Sequence, residues 1–132
     1  MRYMLAIIGE EGGWEDATPE EMKAAMSGWA DFDGKLLADG VWVAGDGLQP
    51  SVTATTVRIG EGDVTVTDGP FAETKEQLGG FYLLECESLD DALEYAKQIP
   101  ARPGSSVEVR PVMNYGDFGY VHPLDREKAA SS

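Results

Sequence analysis

The stretch DGPFAETKEQLGGFYLL, residues 68–84, contains a turn, a charged segment and a strand in direct succession. The Gly-Pro pair at residues 69–70 imposes a sharp turn just after the alternating residues 64–67. The glycine pair at residues 79–80 lets the backbone approach a neighbouring group closely. Residues 81–84 are aromatic and apolar, as expected of a buried strand. The stretch therefore predicts a shaped loop that leads into a core strand.

Upstream of this stretch, the sequence predicts a long helix. Thr18 can cap the helix, Pro19 suits its first position, and Glu21 stands where a capping-box partner belongs. Gly40 is well placed to end it. Apolar residues at steps of three and four should bury one face of the helix. They are Met22, Ala25, Met26, Trp29, Phe32 and Leu36.

The remaining segments complete a βαβ(ββ)βαβ order. A second helix is predicted to begin at Ser88 and to end before Pro100. The strands are predicted over residues 3–8, 41–43, 53–59, 63–67, 80–85 and 107–112. Two helices on one face of a sheet give an α+β sandwich of the ferredoxin-like type over residues 1–113. Residues 114–132 lose periodicity and are predicted to form an irregular C-terminal tail.

The other face of this sheet would expose an apolar surface if the chain were alone. We expect that face, rich in Val, Thr and Ile from residues 41–67 and 107–112, to pack against a second copy of the chain. The sequence therefore predicts a homodimer.

Composition limits the classes of function. The 132-residue chain has a net charge of −14 and only ten Lys and Arg residues, which argues against binding to a nucleic-acid backbone. The N-terminus has no long apolar segment and no stretch reaches the length of a membrane span, so a cytoplasmic protein is expected. Cys86 follows an apolar strand and is expected to be a structural thiol.

Residues 68–83, DGPFAETKEQLGGFYL, resemble the signature of the YCII-related proteins, specifically the subgroup named for its DGPF motif. The matches YML near the start, GLQP and TTVR in the middle and VEVRP near the end extend the resemblance from Tyr3 to Pro111. The resemblance implies a dimeric α+β barrel with a pocket between each sheet and its own loops. Some related enzymes are thought to use a His-Asp dyad, but His122 lies outside the matching region, so the dyad is not carried over.

Asp68 is the candidate catalytic residue, because a carboxylate beside a rigid turn can be held at the mouth of a pocket. The alternative is an Asx turn, in which its side chain accepts a backbone hydrogen bond. Arg58 and Arg110 are candidates to hold a small anionic ligand, and a buried guanidinium would need an acid such as Asp68 or Glu108 as its partner.

Three further residues are candidate ligand contacts. Lys75 lies between Glu73 and Glu76, so it contributes to a site only if it points inward rather than forming weak surface ion pairs. Tyr3 and Tyr82 could line a pocket with their hydroxyl groups, although aromatic residues in strands are most often core residues. Neither a metal site nor a cofactor is predicted, because His122 and Cys86 lie far apart in the sequence and no glycine-rich phosphate loop is present.

Two functions follow from these observations. The first is a small-molecule enzyme or ligand-binding protein that uses a pocket near the DGPF loop. The second is a non-catalytic regulatory module, because the resemblance implies association with sigma factors of the extracytoplasmic-function type. A cavity with an acid, an arginine and a tyrosine would favour the first, and a filled interior with an exposed apolar patch would favour the second.

Overall fold

The structure, a computed structural model, describes residues 1–126. Its strands and helices are β1 (Arg2–Glu10), α1 (Pro19–Ala38), β2 (Trp42–Gly47), β3 (Thr55–Ile59), β4 (Val64–Asp68), β5 (Glu76–Glu85), α2 (Leu89–Ala96) and β6 (Ser106–Pro111). Short 3₁₀ turns cover Ser51–Thr53 and Gly116–Phe118. Within the described residues, no helix has the length and apolar character needed to cross a membrane.

Four antiparallel strands form the main sheet in the order β2-β5-β1-β6. β1 lies inside the sheet and pairs with β5 on one side and with β6 on the other. Each helix connects two strands of this sheet, which is the ferredoxin-like α+β arrangement. The predicted fold class is therefore confirmed.

Both helices begin at the predicted caps. The Thr18 hydroxyl accepts a hydrogen bond from the backbone N–H of Glu21 at 3.1 Å, and the Ser88 hydroxyl accepts one from the N–H of Asp91 at 3.2 Å. These bonds satisfy backbone donors that lack a partner within the first helical turn. Gly40 follows α1 with φ of 72°, a conformation that glycine adopts without the steric cost met by other residues.

The core lies between the main sheet and the two helices. Alternate residues of the central strands are buried beneath the helices, because successive side chains of a strand point to opposite faces. The buried hydrophobic residues are Tyr3, Leu5, Phe32, Leu36, Tyr82, Leu84, Cys86 and Ala92. The intervening residues, such as Met4 and Leu83, lie on the opposite face of the sheet, here called the open face because α1 and α2 do not pack on it.

The N-terminal half of α1 is less buried than its apolar stripe suggests. Phe32 and Leu36 are buried, but Trp29 is only half-buried, and Met22 and Met26 remain 37% and 54% exposed. The expectation of a continuously buried stripe is therefore wrong for its first turns. The reason is a cavity between this half of the helix and the sheet.

β5 begins earlier than predicted, at Glu76 rather than at residue 80. The pairing of β1 with β5 shifts between Ile7, which faces Gly80, and Ile8, which faces Leu78. Gly79 is the extra residue of this β-bulge, and a bulge lets a strand continue past an unpaired residue. The charged segment after the DGPF turn thus runs directly into the central sheet.

The predicted hairpin forms, but it is not part of the main sheet. Among the described residues, β3 and β4 pair only with each other, as a separate two-stranded sheet. Its apolar side chains are strongly exposed, with Val57 56%, Ile59 85%, Val64 63% and Val66 66% accessible. The predicted Val-, Thr- and Ile-rich face is therefore not a single surface. Its residues at 55–67 lie on this hairpin, and the prediction is wrong for Val107 and Val109 of β6, which pack against the core.

Candidate functional site

A cavity of about 620 Å³ lies between the main sheet and the N-terminal half of α1. Three segments border it: residues 9–14 at the end of β1 and just after it, residues 47–50 at the end of β2 and just after it, and residues 100–105 before β6. Its aromatic and sulfur-containing walls are Trp14, Met22, Met26, Trp29, Trp42 and Tyr82. A largely apolar cavity with a few polar groups is the usual form of a small-molecule site.

α1 supplies the apolar wall and one carboxylate. Met22, Met26, Trp29 and Asp33 recur at steps of three and four, so they share one side of the helix. Phe32 and Leu36 are turned toward the core and fix the helix on the sheet. The capped start of α1 therefore places Asp33 beside the sheet with an apolar surface before it.

Tyr82 of β5 is the polar centre of the cavity. Its hydroxyl donates a hydrogen bond to Asp33 Oδ1 at 2.6 Å. Burial, together with the hydrogen bond and the negative charge of Asp33, raises the pKa of the Tyr82 phenol well above its ordinary value. Tyr82 therefore remains a protonated hydrogen-bond donor at neutral pH.

Three rings surround the Tyr82 ring. The Trp29 ring lies 6.4 Å from it between centroids and is nearly parallel, at 20°. The Trp42 and Phe32 rings meet it edge to face, at 5.8 Å and 5.3 Å. Aromatic pairs at these separations are favourable, so Tyr82 has a fixed orientation toward the cavity.

A glycine in β2 makes room for these rings. A Cβ added at Gly45 would lie 2.8 Å from Tyr82 Cδ1 and 3.0 Å from Trp42 Cη2, which are distances too short for van der Waals contact. Gly45 thus allows the two rings to pack directly on the strand. Its role depends on a close approach between strands rather than on the backbone angles of Gly45.

The rim of the cavity is held by polar contacts between loops. Arg102 donates a hydrogen bond to the backbone carbonyl of Glu10 at 2.8 Å, and its guanidinium lies 5.5 Å from the centroid of the Trp14 ring. Glu11 accepts hydrogen bonds from both the backbone N–H and the hydroxyl of Ser51, each at 2.6 Å. These contacts join the end of β1 and the loop after it to residues 100–105 and to the 3₁₀ turn Ser51–Thr53.

The structure brings one of the predicted site residues, Tyr82, to the cavity wall. Lys75 approaches the rim, where its ammonium group lies 3.2 Å from Glu10, but both side chains are mostly exposed. Tyr3 is buried elsewhere in the core, with its hydroxyl 3.6 Å from Met1 Sδ. Arg110 is exposed on β6 and pairs with Glu108.

Asp68 and Arg58 lie on the separate hairpin and do not line the cavity. Arg58 approaches the backbone carbonyl of Phe71 at 3.5 Å and lies 5.9 Å from the centroid of its ring. Within residues 1–126, Asp68 forms no ion pair with Arg58 or Arg110, and its carboxylate accepts no turn hydrogen bond. The DGPF turn is instead held by Thr56, whose hydroxyl donates to the Gly69 carbonyl at 2.6 Å.

Sequence reasoning missed Asp33, Trp42 and Arg102. A signal existed for Asp33, because an acid four residues after Trp29 lies along the apolar stripe of a helix. No local pattern distinguishes Trp42 from an ordinary strand residue or Arg102 from an ordinary loop residue.

A second cavity of about 580 Å³ lies between the C-terminal end of α1 and α2. Its walls are largely charged, and the Tyr95 hydroxyl donates to Asp39 at 2.7 Å there, which raises the pKa of Tyr95 to about 12. Cys86 lines it, but burial raises the pKa of that thiol and disfavours the reactive thiolate. Among residues 1–126, no group of three or more His, Cys, Asp or Glu side chains is arranged to hold a metal ion.

Comparison with known proteins gives a consistent family match. The model of the YCII-related domain family matches residues 1–116. An uncharacterised protein of Rhizobium meliloti (strain 1021) is 38% identical over 117 residues, which cover 87% of this chain and 94% of that protein.

Proposed function

We propose that this chain, which belongs to the YCII-related family, binds a small organic molecule in the cavity between its main sheet and α1. The observation that supports this proposal best is the hydrogen-bonded pair of Tyr82 and Asp33 beside the aromatic and methionine side chains of the wall. A polar pair in such a wall can orient a ligand while the surrounding rings bury its apolar part.

The pair can make two different contacts with a ligand. Within residues 1–126, Asp33 Oδ2 accepts no hydrogen bond, so it is available to a donor on the ligand. The Tyr82 oxygen donates its proton to Asp33 and keeps lone pairs that can accept a hydrogen bond. The same carboxylate would be the proton acceptor if the bound molecule also reacts.

Filling the cavity tests the proposal. Ala25 lines the cavity, whereas its neighbour Ala24 is exposed on α1 and lies outside the lining, so Ala25→Phe and Ala24→Phe add the same group at matched positions. Ligand-observed NMR with a library of small aromatic compounds should give binding to the wild type and to Ala24→Phe, and little to Ala25→Phe. Equal binding to all three proteins, or no binding to the wild type, would contradict the proposal.

We also propose that a second copy of the chain covers the open face of the main sheet. Met4, Ala6, Phe81 and Leu83 lie on that face in adjacent strands, by the alternation of β1 and β5. The hairpin of β3 and β4 exposes further apolar side chains, and an isolated two-stranded hairpin is only marginally stable in water. A homodimer that covers both surfaces would remove this exposed apolar area.

A second candidate function is a partner-binding regulatory module, and the exposed hairpin is the observation that favours it. Phe71, at the DGPF turn, is 79% exposed, beside the exposed residues of β3 and β4. This candidate rests on the resemblance of residues 68–83 to the DGPF subgroup, which suggests an extracytoplasmic-function sigma factor as the partner. Co-elution of the purified chain with such a factor, and its loss in Phe71→Ala, would support this function. Separate elution would reject it.

A further inference from the structure

We infer that the ligand of this cavity is a small organic cation, with an ammonium or guanidinium group attached to an apolar body. The inference rests on the proposed ligand-binding function and specifies the chemical class of the ligand. Its two supports are the aromatic walls of the cavity and the sign of the charges that line it.

The aromatic walls suit a cation. Trp29 and Tyr82 are nearly parallel and the Trp42 ring stands at 77° to Tyr82, so the faces and edges of the rings border the same space. The face of an aromatic ring carries partial negative charge and attracts a cation within about 6 Å of its centroid. Trp is the most effective of these rings, and this cavity has three tryptophans in its wall: Trp14, Trp29 and Trp42.

The charged residues that line the cavity also favour a cation. Of residues 1–126, four acidic residues, Glu10, Glu11, Asp33 and Asp46, line the cavity against one basic residue, Arg102. Lys75 pairs with Glu10 from outside the lining, which leaves three carboxylates against the one guanidinium. Arg102 is already engaged by the Glu10 carbonyl and the Trp14 ring at the rim.

Asp33 is the group that would meet the cationic head. Its carboxylate is held by the Tyr82 hydroxyl through Oδ1, so its position is fixed before any ligand arrives. A fixed carboxylate beside aromatic faces gives a cation both a charge partner and a cation–π contact. An anion would have to approach the same carboxylate, and the two arginines predicted to hold an anion, Arg58 and Arg110, lie outside the cavity.

Three probes that each contain one phenyl ring but differ in charge test the inference: benzylamine, benzyl alcohol and benzoate. Titration at neutral pH, followed by tryptophan fluorescence and calorimetry, should show benzylamine binding about tenfold more tightly than benzyl alcohol, with benzoate the weakest. Asp33→Asn keeps the acceptor for Tyr82 and removes the charge, so it should abolish most of the preference for benzylamine over benzyl alcohol.

The control is Asp31→Asn, which makes the same change of charge at an exposed position of α1 outside the cavity lining. It should keep the preference for benzylamine. Binding of benzyl alcohol or benzoate at least as tight as that of benzylamine would overturn the cation inference and leave the ligand-binding proposal standing. Failure of all three probes, together with identical behaviour of Ala25→Phe and the wild type, would overturn both.

Discussion

Replacing Gly45 by alanine should destabilise the protein and disturb the cavity wall at the same time. The added methyl group would lie 2.8 Å from Tyr82 Cδ1, 3.0 Å from Trp42 Cη2 and 3.1 Å from the Phe81 carbonyl oxygen. Two of these atoms belong to rings in the core and the third belongs to the backbone of the neighbouring strand, so none can move freely. Overpacking of this kind costs about 1–3 kcal/mol of unfolding free energy.

Gly47 on the same strand provides the control, because a Cβ added there meets no atom of residues 1–126 within 4 Å. Gly47→Ala should be neutral or stabilising by up to about 1 kcal/mol, through the smaller entropy of the unfolded chain. In thermal unfolding, Gly45→Ala should melt roughly 4–12 °C below the wild type, at about 4 °C per kcal/mol for a domain of this size. Its near-ultraviolet circular dichroism should also change as Tyr82 and Trp42 move. Equal melting temperatures for the two variants would refute the close-packing argument.

Three further predictions use simple measurements. Tyr82→Phe removes the donor to Asp33 and should lower the unfolding free energy by about 1–2 kcal/mol in denaturant titration; unchanged stability would contradict the importance of that bond. The pKa values of Tyr82 and Tyr95 are raised in the folded state, so these phenols contribute fully to the unfolding free energy below pH 10, and the contribution should be lost as the pH rises toward 12 and beyond. The loss should be smaller in Tyr95→Phe, and an unfolding free energy that stays constant above pH 10 would disprove the linkage. Light scattering should give twice the 14.2 kDa chain mass for the wild type and for Leu37→Lys on α1, but the mass of one chain for Leu83→Lys on the open sheet face. A monomeric wild type would rule out the homodimer.

The parts of the fold that depend on local signals could be predicted from the sequence. Thr18 and Ser88 fixed the starts of both helices because an N-cap acts on the backbone only three residues away. The glycine-containing connection at residues 60–62 likewise indicated a hairpin between two β-rich runs. The order of these elements was then sufficient to predict the fold class.

The cavity could not be predicted because it depends on distances between elements that are far apart in the sequence. Periodicity shows that Met26 and Trp29 share a helix face, but it does not show whether the opposing strand fills the space beneath them. Gly45 leaves that strand without a side chain at the critical point, and Tyr82 comes from a strand more than thirty residues later. For the same reason, the pairing of Tyr82 with Asp33 has no sequence signal of its own.

The position of the hairpin also depends on contacts between residues that are distant in the sequence. Alternation predicts that β3 and β4 pair with each other, but it does not determine whether they join a larger sheet. The sequence predicts Asp68 at the mouth of a pocket and Arg58 as a contact to its ligand. The separate hairpin places them away from the cavity instead.

The bulge at Gly79 has a consequence for comparing this chain with relatives that differ in length. Gly79 has no partner on β1, so Gln77 pairs with Gly9 and faces the cavity. Without the bulge, Leu78 would pair with Gly9 and take that place. The carbonyl of Gly79 accepts the backbone N–H of Leu48 at 2.9 Å and so anchors the loop at residues 47–50. A relative that lacks this one residue would keep Gln77 on the cavity side and lose the anchor. A one-residue alignment gap here would therefore identify a homologue with the same inward-facing side chains and a rim loop that is free to adopt another shape.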